Sequence, residues 1–257
     1  MTSRSIEATV YVPPGPLPTG VVRDLLHLAF EEYRWFQPAL EGRFDEDAES
    51  ESGTLNYSAR LPYYDKMSGF LIADREEQQC LSISTSVRTA YPFVGRVSWV
   101  VKVDEWNAME WRDTHLHQVM EVMRLVGSYL AQAAMIGDVH RKTERFIPLP
   151  DGFGTEQTFT VRDPSEGLAG LFWRNIFGPP FVRMFGDRLL SLPPGTVQDL
   201  GDGLVLVQPY ELPTQAMTPE GDAAEDRLIT VLGPECFYDH AHHHKPTRVP
   251  ELIPPTR

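Results

Sequence analysis

An α+β fold, with a largely antiparallel sheet packed by several helices, is predicted by three features of this 257-residue chain. Short runs alternate apolar and polar residues with brief links between them, as half-buried antiparallel strands do. Longer segments return apolar residues every three or four positions, as amphipathic helices do. Prolines are frequent and often paired (Pro13-Pro14, Pro179-Pro180, Pro193-Pro194, Pro254-Pro255), which punctuates the elements with stiff loops.

Residues 8–12 predict the first strand, and Thr19 stands where a helix over 20–36 would be capped. Val22, Leu25, Leu26, Ala29, Phe30, Tyr33 and Phe36 then share one side of that helix. Three strands follow: the alternation of Leu55, Tyr57, Ala59 and Leu61, that of Leu81, Ile83, Thr85 and Val87, and the run 96–103. The longest helix is predicted over 114–136, with Val119, Met123, Val126 and Leu130 on its apolar side and Gly137 at its stop. The proline- and glycine-marked stretch 137–156 offers a division. The chain therefore reads either as α+β lobes 1–140 and 141–257 or as one continuous domain.

The second half begins with a strand at 156–161. Asp163-Pro164-Ser165-Glu166 has the cap, proline and reach-back acid of a helix start, and predicts a helix to about Trp173. A short helix over 180–186 comes next, then a Gly201-Asp202-Gly203 turn into the apolar strand Leu204–Val207. Thr218-Pro219 opens a last helix over 219–232, ended by Gly233-Pro234.

Composition narrows the function classes. At 42% hydrophobic and 23% charged residues, the chain can bury a core. Its 36 acidic residues against 23 Lys and Arg give a net charge of −13, which repels a phosphate backbone and argues against direct binding of nucleic acid. A basic protein partner fits that charge; so does simple solubility. The acids concentrate in 41–52, where Asp45, Glu46, Asp47, Glu49 and Glu51 are the candidate partner-binding residues of what is otherwise a solvated loop. The two cysteines, Cys80 and Cys236, form no CxxC pair. The start of the chain lacks a secretory pattern, and no window of about 18 apolar residues occurs. A cytoplasmic protein with no membrane partner is the expectation.

The chemically concentrated segment is Asp239-His240-Ala241-His242-His243-His244. Asp239, His240, His242 and His244 are candidate metal ligands, and with them the chain would be a metal-dependent hydrolase. No HExxH or paired-carboxylate signature accompanies them, and a histidine-rich surface patch is the alternative. Cys236, four residues before His240, is either a nucleophile beside a base or a buried structural thiol. With no GxGxxG, GxxxxGK[ST] or GxSxG present, the sequence assigns no catalytic residue and calls for no cofactor. Trp173, Phe177, Phe181 and Phe185, around a Gly-Pro-Pro break, read as core; their alternative is an aromatic anchor for a partner.

The stretch Leu171-Phe172-Trp173-Arg174-Asn175-Ile176-Phe177-Gly178-Pro179-Pro180-Phe181-Val182, with Leu189-Leu190-Ser191-Leu192-Pro193 and then Leu232 to Asp239, resembles bacterial immunity proteins of polymorphic toxin systems, the immunity protein 52-like family. The resemblance covers roughly 165–240 and carries no binding residues with it. It implies a non-enzymatic cytoplasmic inhibitor of a cognate toxin, a basic nuclease being one such partner. A structural or assembly component is the third reading of the chain.

Overall fold

The computed structural model describes residues 5–39, 57–86, 90–102, 108–149 and 152–252, with 57–60 and 63 described by backbone alone. Asp45, Glu46, Asp47, Glu49 and Glu51 lie outside the described residues. The fold is α+β, with antiparallel strand pairing inside each of two compact units. The units are Ser5–Ser128 and Tyr129–Ile253, whereas the sequence reading ended its first lobe at 140.

The first unit contains β1 (Ser5–Tyr11), α1 (Thr19–His27), α2 (Tyr57–Met67), β2 (Gly69–Ala73), β3 (Cys80–Ser84), β4 (Arg96–Lys102) and α3 (Met109–Val126). Its strands run in the order β2-β3-β4-β1. The alternation read at 81–87 appears in β3, where Leu81 and Ile83 are buried between half-buried serines. Helix α1 buries Val22, Leu25 and Leu26, and it packs on α3, which lies against β1. The predicted helix over 20–36 keeps regular α geometry only to His27. It then widens, with Tyr33 N–H donating to Leu28 O and Trp35 N–H to Ala29 O. That change brings Trp35 onto Trp99 of β4, with ring centroids 4.4 Å apart and planes 8° from parallel. Thr19 does not cap α1; its hydroxyl donates to Asp65 Oδ1 at 2.7 Å.

Two readings are corrected here. Of the strand predicted from Leu55 to Leu61, residues 57–61 are instead part of helix α2, and Leu55 and Asn56 lie outside the described residues. Four alternating positions are too few to separate the two periods. Packing decides: Leu61 and Tyr64, one turn apart, are both buried. The Tyr64 hydroxyl accepts from Leu17 N–H at 2.8 Å and donates to Leu17 O at 3.1 Å. The helix predicted over 114–136 is α3 followed by a strand, β5 (Leu130–Met135). Gly127 adopts φ 66°, and Ser128 N–H returns to Met123 O at 2.8 Å, closing the helix in the left-handed manner that glycine permits.

The second unit contains β5, α4 (Ile136–Thr143), β6 (Glu144–Pro148), β7 (Thr155–Phe159), β8 (Arg174–Phe177), α5 (Pro179–Phe185), β9 (Val197–Gly201), β10 (Leu204–Val207) and α6 (Pro219–Leu232). Four strands pair in the order β5-β8-β10-β9, and β6 and β7 form a separate hairpin. Helix α6 has the predicted bounds, and its Thr218 cap accepts from Gly221 N–H at 3.1 Å. The Gly201-Asp202-Gly203 turn joins β9 to β10, all three residues having positive φ.

The helix predicted from Asp163 to Trp173 is a third correction. Asp163 does accept from Ser165 N–H at 2.9 Å, but the turn ends at Glu166 because Gly167 adopts φ 101°. Residues 167–178 are then buried without interruption, ending in β8. A segment enclosed on every side shows neither the helical nor the strand period. Trp173, Phe177, Phe181 and Phe185 are fully buried, so this aromatic run is core and not a surface anchor. Phe177 sits 5.6 Å from Phe181 and 5.1 Å from Phe185. Gly178 is required by a close approach, since a Cβ there would lie 2.9 Å from Tyr129 Cα.

Asn175 ties this run to the sheet. Its Oδ1 accepts from Phe172 N–H at 3.0 Å, while Nδ2 donates to Phe172 O at 2.9 Å and Val207 O at 3.0 Å. Asn175→Leu would leave those buried backbone groups unpaired and should lower unfolding free energy by about 2–4 kcal/mol in urea titrations. A loss within experimental error would show that the three bonds contribute nothing net.

Candidate functional site

Charged side chains meet inside the second unit. Helix α4 places Asp138 and Lys142 four residues apart, hence on one side, and α6 supplies Glu225. All three are buried, Lys142 at 5% exposure. The Lys142 ammonium donates to Asp138 Oδ2 at 2.8 Å and to Leu171 O, and lies 2.7 Å from Glu225 Oε2. The Phe172 ring lies 5.0 Å beneath it. Gly170 leaves room for the aliphatic stem, since a Cβ there would be 3.2 Å from Lys142 Cδ. Arg141 bonds Asp138 at 2.8 Å and reaches outward to Asp222 at 2.9 Å.

Glu225 also receives the Tyr210 hydroxyl at 2.8 Å. Burial raises the Glu225 carboxyl above the ordinary range, and the charge of Lys142 only partly opposes this. The Tyr210 phenol is likewise raised, by burial and then by the carboxylate beside it. The three protons of the Lys142 ammonium face three acceptors, so the group offers no lone pair for attack or for proton abstraction. The arrangement joins α4, α6 and the buried run; it does not present reactive chemistry. The sequence reading missed it because Glu225, Leu171 and Tyr210 are remote in the chain. The available signal was the i,i+4 pair Asp138/Lys142 on a helix entering the core.

The predicted metal set divides among different tasks. Asp239 and His244 exchange backbone hydrogen bonds across a tight turn, with His243 at φ 61°. The Asp239 carboxylate accepts from the N–H groups of Ala241 and His242, and its Oδ2 lies 2.8 Å from His242 Nδ1. Those bonds, led by the His242 backbone, hold the carboxyl below its usual range. His244 stacks on His242 at 6.0 Å. His240 bonds to the backbone instead, its Nε2 2.7 Å from Ala169 O. A carbonyl can only accept, so this nitrogen carries the proton and is closed to a metal. Desolvation of the ring also lowers the His240 pKa from its ordinary value. Among the described residues no three His, Cys, Asp or Glu side chains are grouped to hold a metal ion. Cys236 is buried with its thiol raised by that burial, as is half-buried Cys80.

The hairpin β6–β7 is a different kind of surface. Phe146, Phe153 and Phe159 are 63%, 85% and 54% exposed, and Ile147 is exposed beside them. Glu144 lies directly across from Phe159, and Glu156 from Ile147.

These features define an α+β chain with antiparallel sheets, a buried ion network and an exposed apolar and acidic hairpin. Among the described residues no helix is long and apolar enough to cross a membrane. Comparison with protein families finds no match, and comparison with curated proteins finds none either. Among solved structures, the fold is similar to that of the Pseudomonas aeruginosa T6SS protein PA0821, with a TM-score of 0.51 and 12% identity. The likeness covers 88% of this chain and 72% of that one.

Two outcomes follow from the buried network. Lys142→Met should cost about 3–5 kcal/mol of stability, because it removes the buried cation that two buried carboxyls face; a chemical-denaturation midpoint within error of the parent would contradict that. Glu225→Gln tests the carboxyl. Its folded pKa lies above its unfolded value, so its contribution is complete below the unfolded pKa and is lost as pH rises through the folded one. The midpoint difference between E225Q and the parent should therefore move in the variant's favour as pH rises above about 4.5. A difference independent of pH would show that Glu225 is not shifted.

Proposed function

We propose that the chain is an immunity-type protein that binds and neutralises a cognate secreted toxin in the cytoplasm, covering it without making or breaking bonds. The observation that carries this reading is the −13 charge on a fold shared with a T6SS protein. Such a surface attracts a cationic one and is repelled by the nucleic acid that a basic nuclease would take as substrate. Asp45, Glu46, Asp47, Glu49 and Glu51 are the side chains we assign to that attraction. The resemblance of the 171–182 run to immunity proteins supports the same reading. That run is core, so the likeness would lie in how the fold is held and not in contact residues.

The test is co-expression with the product of the neighbouring reading frame, then calorimetry on the purified pair. A stoichiometric complex is expected, with an association rate that falls as salt is raised. No heat of binding at micromolar concentrations of both proteins, together with no protection of cells expressing that product, would refute the proposal.

A further inference from the structure

The hairpin β6–β7 places aromatic rings and carboxylates side by side on a ribbon that projects into solvent. Among the described residues, its two strands pair only with each other. In the register, Glu144 faces Phe159, Phe146 faces Gln157, and Ile147 faces Glu156. Directly opposed residues share a face. One face therefore carries Phe146 and Phe159 with Glu144, and the other carries Ile147 with Glu156. Phe153 stands at the tip, 85% exposed. The cation of the ribbon, Arg145, donates to the Tyr238 hydroxyl at 3.0 Å.

Large exposed aromatics on a projecting ribbon are an association hazard unless something covers them. We propose that this hairpin is the anchor by which the protein grips a basic protein partner, Phe146 and Phe159 entering an apolar recess rimmed by Arg or Lys. A guanidinium on that rim can stack on a phenyl ring and pair with the carboxylate across the strand. The charge selects this occupant over others. A second copy of a −13 chain would bring Glu144 and Glu156 against like charge, and an anionic lipid surface would repel the chain. The inference rests on the toxin-binding reading and adds the surface that makes contact.

The experiment uses the full chain and the neighbouring reading frame's product. It compares the parent with F146S/F159S and with Leu190→Ser, which removes an even more exposed apolar side chain elsewhere in the same unit. Circular dichroism and melting temperature should be unchanged in both variants, since the altered residues are exposed. F146S/F159S should weaken binding by roughly tenfold or more, through faster dissociation, while L190S binds as the parent does. Parent-like binding by F146S/F159S would overturn the hairpin anchor and leave the toxin-binding reading standing. No binding by the parent would overturn both. Sedimentation of the protein alone supplies the remaining outcome: self-association abolished by F146S/F159S would make a second copy the occupant and refute a basic partner.

Discussion

The Lys142 ammonium sits where water cannot solvate it, and the second unit is arranged around satisfying it. A buried cation is tolerated only with paired charge and complete hydrogen bonding. Asp138 comes from the same helix, Glu225 from α6, and Leu171 O from the run that leads into β8. Because all three must converge on one nitrogen, the position of α6 relative to α4 is fixed within the length of a hydrogen bond. The small side of Gly170 and the ring of Phe172 complete the enclosure. An apolar replacement of the whole group could fill the space as well, but it would not impose the same registry.

That constraint also explains the histidine segment. The backbone of the tail pairs with the buried run at Leu168: Leu168 N–H donates to Cys236 O at 3.2 Å, and Tyr238 N–H to Leu168 O at 2.8 Å. This pairing sets His240 beside Ala169, one residue on, where its ring finds a carbonyl to donate to. The next residues have already turned, with the Asp239 carboxylate holding the turn through two backbone N–H groups. Histidines that are neighbours in sequence therefore separate: His240 donates to Ala169 O, while His242, His243 and His244 stand exposed in the turn. Proximity along the chain does not specify convergence when a turn intervenes.

The readable parts of the fold were those with local causes. The caps and prolines of α6, the alternation in β3 and the glycine turn between β9 and β10 are written within a few residues of where they act. The failures came from ambiguous local patterns or from non-local causes. The helical residues 57–61 and the strand after Gly127 escape the sequence because short periods are ambiguous and because the stop at Gly127 lies inside an apolar run. The run 167–178 has no period at all, since β8 and the chain before it are enclosed on every side. The Lys142 network was illegible for a further reason. The i,i+4 spacing of Asp138 and Lys142 is the one local sign of it, and that spacing suits a solvated helix face equally well; the second carboxylate arrives with α6.

Charge and apolar surface have separate roles in an association of the kind proposed. Negative charge acts over roughly a Debye length, about 8–10 Å at ordinary salt, and so bears on the encounter. It is worth little once salt bridges at a rim are solvated. Residence instead depends on rings that leave water, and β6–β7 carries the exposed phenylalanines of the second unit together with carboxylates placed across from apolar side chains. A surface holding only the acids would capture cations without discrimination. One holding only the rings would self-associate. Alternating them along a ribbon gives attraction a sign and contact a shape, and that combination can discriminate one basic protein from the many that the net charge alone would attract.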